Sequence, residues 1–368
     1  MNLNRFIDTY SCYSFDEVPF TEVDNVIFAN LSYINLYGYV SKNRFNPRRL
    51  ENVANEFFKN YSKKEKNIYA VRKAIKIFNS IRNTKRYKDL LLYNYVYESG
   101  ENEQFSAFTI EINRKLVYVS FEGTDQLVSG WKEDFMYSYC FPTISQRRAI
   151  DYVNKHFLFR HKKIMLGGHS KGGNLAVVAG MYANFLVKDK IIKIYNNDGP
   201  GFLKEQLNSL QYQSIKDITV NIIPNNSVVG ILLQHGNMQV IRSMKKGVFS
   251  HDVLSWVVKD KSFERCEISP YSNNLHDKIL EWLEKYDKES REKFVESLFS
   301  IFERAGVVSI IDIFENKKLI LKLILETKGI DSDVRGMVKE FVLMMFKLSN
   351  EVRLDEIKMM FQRKEKKV

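Results

Sequence analysis

This chain has little of what cross-links a protein or carries it across a membrane. Three cysteines in 368 residues, Cys12, Cys140 and Cys266, are odd in number and far apart. That count fits neither a disulfide framework nor a zinc site, and a reducing cytoplasm is the expected location. Residues Met1 to Tyr10 carry Arg5 and Asp8 and no apolar core, so no secretory signal is expected there. Long hydrophobic runs are missing too: Leu319 to Leu325 is cut by Lys322, too short and too charged for a membrane span. Only six prolines punctuate the chain, and no internal repeat stands out.

What is present is apolar material. Hydrophobic residues make up 45% of the chain, enough for a large core plus an appendage, and disorder is not indicated. The net charge is +12, which favours anionic partners. The basic residues are interleaved with acidic ones, as in Lys63-Lys64-Glu65-Lys66, which reads as a solvated surface with no nucleic-acid stripe. Peripheral contact with an anionic membrane is the partner that charge allows.

Residues 1–90 show apolar positions at helical spacing, as in Val71, Ala74, Ile75 and Phe78, and read as a helical segment packed on the core. The period then changes. Phe105 to Ile112 and Leu116 to Phe121 read as strands joined by the short connection Asn113-Arg114-Lys115. Helix (146–159), strand (163–166), helix (to 187), strand (191–196), helix (203–211) and strand (217–223) come next, with short β pieces at 238–241 and 256–258. Alternating strands and helices predict a mainly parallel sheet over residues 91–286. Residues 287–368 read as a helical appendage. Its run Phe341-Val342-Leu343-Met344-Met345-Phe346 holds no heptad register, so no coiled coil is predicted.

One pentapeptide carries chemistry. Gly168-His169-Ser170-Lys171-Gly172 stands between the apolar Ile164-Met165-Leu166 and the helical Leu175-Ala176-Val177-Val178-Ala179. Strand, sharp turn and helix is the setting in which G-x-S-x-G exposes a serine nucleophile. The helix N-terminus, with the Lys171 N–H, faces a developing oxyanion. Lys171 also puts a cation beside the serine, suited to an anionic substrate or turned to solvent.

Serine needs a base, and in this fold class the order along the chain is Ser, acid, His. Of six histidines, His235, His251 and His276 come after Ser170. His251, in a Gly- and Ser-containing loop after the last parallel strand, is preferred to His235, and His276 reads as a surface residue. For the acid, Asp198 in Asn196-Asn197-Asp198-Gly199-Pro200 lies at a strand's carboxyl end, where α/β active-site loops gather. A turn residue is its competing reading. Asn225-Asn226-Ser227, after the next strand, offers no carboxylate, and Asp252 is expected to point away. Thr124, in Glu122-Gly123-Thr124-Asp125 after an earlier strand, is the expected second oxyanion donor, with Trp131 and Asp134 as packing and capping residues.

Phe121-Glu122-Gly123-Thr124-Asp125 and Gly168-His169-Ser170-Lys171-Gly172-Gly173-Asn174-Leu175-Ala176 resemble the class 3 lipase pattern. Together with Val18-Pro19-Phe20-Thr21-Glu22-Val23-Asp24, Leu31-Ser32-Tyr33, Asn197-Asp198-Gly199-Pro200-Gly201-Phe202 and His251-Asp252 with Trp256, they resemble the bacterial Mbeg-like family more closely, over about residues 18–285. The resemblance implies an α/β-hydrolase fold with Ser170 as nucleophile, His251 as base and Thr124 in the oxyanion loop. It supplies no substrate. Glu122 stands where the lipase pattern has arginine, and Ser227 where it has the aspartate, which moves the acid to Asp198. The expectation is a serine hydrolase of small-molecule or lipid esters or thioesters, needing no cofactor and no metal. A non-catalytic binding protein on the same fold is the alternative.

Overall fold

The computed structural model of the chain describes residues 1–61, 69–100, 103–124, 128–307, 317–327, 330–341 and 343. Eight strands form one sheet whose spatial order is their chain order: β1 (Arg48–Arg49), β2 (Leu91–Gly100), β3 (Glu103–Asn113), β4 (Leu116–Phe121), β5 (Lys163–His169), β6 (Ile191–Asn197), β7 (Thr219–Pro224) and β8 (Met238–Ile241). Pairing is antiparallel from β1 to β4 and parallel from β4 to β8. A two-stranded ribbon, β9 (Val258–Lys259) with β10 (Ser262–Phe263), stands apart.

The parallel part explains how the sheet is covered. Helices α5 (Val128–Met136) and α6 (Ile144–Phe157) lead from β4 to β5, α7 (Lys171–Tyr182) and α8 (Phe185–Lys188) from β5 to β6, and α9 (Lys204–Leu207) and α10 (Leu210–Gln213) from β6 to β7. Right-handed crossovers that always step to the same neighbour lay their helices on one face. Val117, Val119 and Phe121 of β4 point to that face and join Ala149, Val153, Leu175 and Val178 in one core. Tyr118, between them, points the other way, as the two-residue period of a strand requires. That second face is closed by the N-terminal helices α1 (Leu3–Tyr10), α2 (Glu22–Leu31), α3 (Leu50–Asn60) and α4 (Tyr69–Ile81), whose Phe6, Ile27, Phe57 and Phe78 share a core with Tyr118.

A buried ion pair fixes α2. Arg86 Nε and Nη2 reach both Asp24 oxygens at 2.8 and 2.7 Å, and Tyr87 donates to the same carboxylate at 2.7 Å. Both charged side chains are wholly buried. Toward the C-terminus, α11 (Pro270–Lys285) is followed by α12 (Lys288–Ala305) and α13 (Lys317–Glu326). Phe294, Leu298 and Phe302 of α12 pack with Trp131, Phe135 and Met136 of α5. Helix α12 stops at Gly306, whose φ of 72° is left-handed backbone.

A mostly parallel sheet with helices on both faces and a strand, sharp turn and helix at β5 and α7 is the α/β-hydrolase arrangement. Several elements differ from the sequence expectation: β1, α5 and β10 are not among those read from the sequence, and the helix expected to run to 187 is divided into α7 and α8. Strand β2 is not expected from the sequence, because Asn94, with φ 57°, forms a bulge that breaks its alternation. The helix expected over 203–211 is two short ones, divided where Ser209 caps the second. The Lys63 to Lys66 run, Asp125 and the apolar run after Leu343 lie outside the described residues. Among the described residues no helix is long and apolar enough to cross a membrane.

Candidate active site

The turn after β5 is as sharp as the pentapeptide demands. Ser170 has φ 58° and ψ −135°, a conformation that costs about 1–3 kcal/mol outside glycine. Packing around it admits only glycine at positions 168 and 172: a Cβ on Gly168 would lie 2.2 Å from the Gly172 backbone, and one on Gly172 2.2 Å from the Phe121 oxygen. Backbone bonds hold the strain, with Ser170 N–H donating to Asn197 O at 3.0 Å and Gly173 N–H to Ser170 O at 2.9 Å. A buried amide pair braces the turn: Asn25 on α2 donates to Asn197 Oδ1 at 2.7 Å, and Asn197 donates to Gly168 O at 2.8 Å.

Asp198 directly follows β6 beside this turn, fully buried and with φ 52°. His251 Nδ1 meets its Oδ2 at 2.7 Å, and the Ser227 hydroxyl donates to Oδ1 at 2.6 Å. Gly230 N–H in turn donates to Ser227 Oγ at 2.8 Å. The position that lacks a carboxylate therefore supplies a hydroxyl to one. Burial pushes the Asp198 carboxyl up, and the Ser227 hydroxyl, a donor to the ionised form, works against that. Burial, with Lys73 adding to it, presses the His251 imidazole down, so it rests neutral. A carboxylate only accepts, so this contact sets the ring proton on Nδ1 and leaves Nε2 a base.

Ser170, His251 and Thr124 line one cleft. Among the described residues no hydrogen bond joins Ser170 Oγ to the imidazole; such contacts commonly close only around substrate. The Thr124 hydroxyl donates to Asp134 at 2.8 Å, in a site where burial raises the Asp134 carboxyl to about 7. Lys171 opens α7, so its N–H precedes the first i→i−4 bond and faces outward from the helix end.

The Lys171 side chain corrects the sequence reading. It neither reaches solvent nor sits over the serine: it is 1% exposed, with Nζ 3.2 Å from Glu133 and 2.9 Å from Gln104 O. Burial opposes a charge on Glu133, but Lys171 and the Ser145 hydroxyl at 2.6 Å hold its carboxyl below the usual range. The packing around α7 leaves a lysine there no way out, so it takes a carboxylate inside. His235 bonds Gly230 O at 2.7 Å and His276 bonds Ile231 O at 2.8 Å, both with main-chain partners away from the cleft. Asp252 faces away from the imidazole, toward Lys73 at 2.8 Å and Lys245 at 2.7 Å.

Three cleft residues escape the sequence reading. Tyr33 OH meets His169 Nδ1 at 2.9 Å, His169 Nε2 meets His251 O at 3.0 Å, and the two imidazoles lie 4.2 Å apart. Lys73, on α4, lines the same cleft. The only sequence signal for Tyr33 is its place in a motif shared with the resembled family. Among the described residues no group of three His, Cys, Asp or Glu side chains is placed to hold a metal.

A family model described as Mbeg1-like matches residues 81–300. Among solved structures, the crystal structure of M37 lipase is similar with a TM-score of 0.36 and 13% identity, covering 69% of this chain and 78% of that one. No curated protein matches the sequence.

Proposed function

We propose that this chain, which belongs to the Mbeg1-like family, is a serine hydrolase that cleaves an ester or thioester through an acyl-enzyme on Ser170. The observation that carries the reading is the 2.7 Å contact of His251 with a buried Asp198, in the cleft that holds a strained serine at a helix N-terminus. His251 Nε2 takes the Ser170 proton as Oγ bonds to the carbonyl carbon. The N–H groups of Thr124 and Lys171 receive the oxyanion, and Asp198 holds the imidazolium that forms. Collapse breaks the bond to the alcohol or thiol, which leaves with the proton from His251. Water then enters by the same route and frees the acid and Ser170.

The alternative, a binding protein without chemistry, draws on the missing carboxylate at 225–227. Ser227 completes the Asp198 site instead, which favours the hydrolase. Three unpaired cysteines suit work in the cytoplasm.

Turnover of p-nitrophenyl acetate tests the assignment. Ser170→Ala is expected to fall to the background rate and Asp198→Asn to lose about 10⁴ in kcat. Turnover by Ser170→Ala equal to wild type overturns the hydrolase, and an Asp198→Asn rate within about tenfold of wild type returns Asp198 to a turn residue.

A further inference from the structure

Ser170 stands at the carboxyl edge of the parallel strands, and the opposite edge carries a different chemistry. There the segments that lead into β4, β5 and β6 meet: Lys163 N–H donates to Lys115 O at 2.8 Å, and Ile164 N–H to Lys190 O at 2.9 Å. Lys190 Nζ donates to Phe157 O and Leu158 O at 2.9 and 3.0 Å, and Asn184 N–H to Asn154 Oδ1 at 2.7 Å. These bonds set the turn that carries Phe159 beside α8, which carries Phe185 and Leu186. Phe159 is 85% exposed and Phe185 69%, with Leu186 and Ile192 exposed as well. Large apolar side chains bared on neighbouring segments mark a contact surface. Basic side chains share this edge. Charge is interleaved elsewhere, but between residues 155 and 193 the chain has a single acid, Asp189, against eight lysines and arginines. Arg114, Lys115 and Lys163 are exposed and Lys193 is half-buried, and among the described residues none of the four forms an ion pair, whereas Lys162 pairs with Glu111 at 2.6 Å. Lys188, like Lys190, gives its ammonium to a main-chain carbonyl, Met181 O at 2.8 Å.

We propose that this edge is a docking face for an anionic phospholipid bilayer, with Phe159 and Phe185 entering the headgroup layer and the basic side chains meeting lipid phosphates. Exposed phenyl rings among cations match a partner that is negative at its surface and apolar beneath it. A nucleic acid would engage the cations and leave Leu186 and Ile192 uncovered. Strand β5 begins at Lys163 and ends at His169, next to Ser170, which puts about 20 Å of strand between the docking face and that serine. A chain docked in this way holds its cleft toward the solution. The docking face is independent of the hydrolase reading.

Co-sedimentation of the full chain with vesicles tests this, comparing phosphatidylcholine alone with an equimolar mixture of phosphatidylcholine and phosphatidylglycerol. Wild type is expected to partition about tenfold or more in favour of the anionic vesicles, a preference that declines with added salt. Lys115→Glu with Lys163→Glu is expected to lower that partitioning about tenfold. Lys59→Glu with Lys76→Glu changes the net charge equally at exposed positions of α3 and α4, and is expected to stay within about twofold of wild type. Phe159→Ser with Phe185→Ser is expected to lose about tenfold, because the apolar contribution goes with the rings. Phe159→Trp is expected to add a fluorescence signal that lipids brominated on their acyl chains quench. All these side chains are exposed, and circular dichroism checks that each variant is folded. Equal binding to the two vesicles, equal losses in the two lysine pairs, unchanged binding in the phenylalanine pair or an unquenched Phe159→Trp signal overturns the docking face. Retention on poly(U) RNA without binding to the anionic vesicles overturns it as well.

Discussion

Two residues of the candidate site, Ser170 and Asp198, hold positive φ values of 58° and 52° without being glycine. Backbone strain of this kind persists only where surrounding bonds fix it, and here it turns both side chains to the edge where His251 stands. Asp134, the partner of Thr124, has a different cost. Its carboxyl is raised to about 7 by burial, well above its unfolded value near 3.8. A raised acid stabilises the fold at low pH and loses that contribution as pH climbs from about 4 through 7. Asp134→Asn still accepts from the Thr124 hydroxyl and never ionises. Urea unfolding is expected to show the variant gaining on wild type by about 2–3 kcal/mol between pH 5 and pH 8. Parallel stability profiles for the two proteins would show that Asp134 titrates normally. Ser170 is legible because its pattern is local, and His251 and Asp198 because chain order limits the choices. Tyr33, His169 and Lys73 are not, since their places at the site come from contacts across 82 to more than 130 residues.

Among the elements, α2 does most to position the turn after β5. Its Asn25 braces Asn197, and its own N-terminus is fixed by the capping box of Thr21 with Asp24 and by Arg86. Removing Arg86 would leave Asp24 buried and uncompensated beside Tyr87. Arg86→Ala is expected to cost about 3–5 kcal/mol in denaturant unfolding, and Arg86→Lys to recover little, because a single ammonium cannot reproduce the two-pronged contact. A loss under about 1 kcal/mol for Arg86→Ala would mean that the helix is held by its apolar face alone. Strands and helices with an unbroken period, such as β4, β5 and α7, can be read directly from the sequence. Strand β2 cannot, since the bulge at Asn94 interrupts its alternation, and neither can the break between α9 and α10, which depends on one capping serine.

At the scale of the whole molecule, one topological fact organises the rest. A sheet whose parallel strands keep chain order receives its crossover helices on one face, and residues 1–81 close the other. The segment that reads in sequence as a helical prefix is therefore half of the sandwich, and it brings Tyr33 and Lys73 to the cleft. The C-terminal helix α12 packs on α5, two residues of which, Trp131 and Asp134, stand at or beside the cleft. The proposed chemistry converges on a single atom, Ser170 Oγ, which in that proposal His251 activates at the rim of the sheet. The most direct measurement is labelling of the folded protein with a fluorophosphonate probe, followed by mass spectrometry of the modified peptide. The account predicts one adduct, on Ser170, that disappears in Ser170→Ala and is strongly slowed in His251→Ala. Folded wild-type protein that remains unlabelled at Ser170 over hours would contradict it.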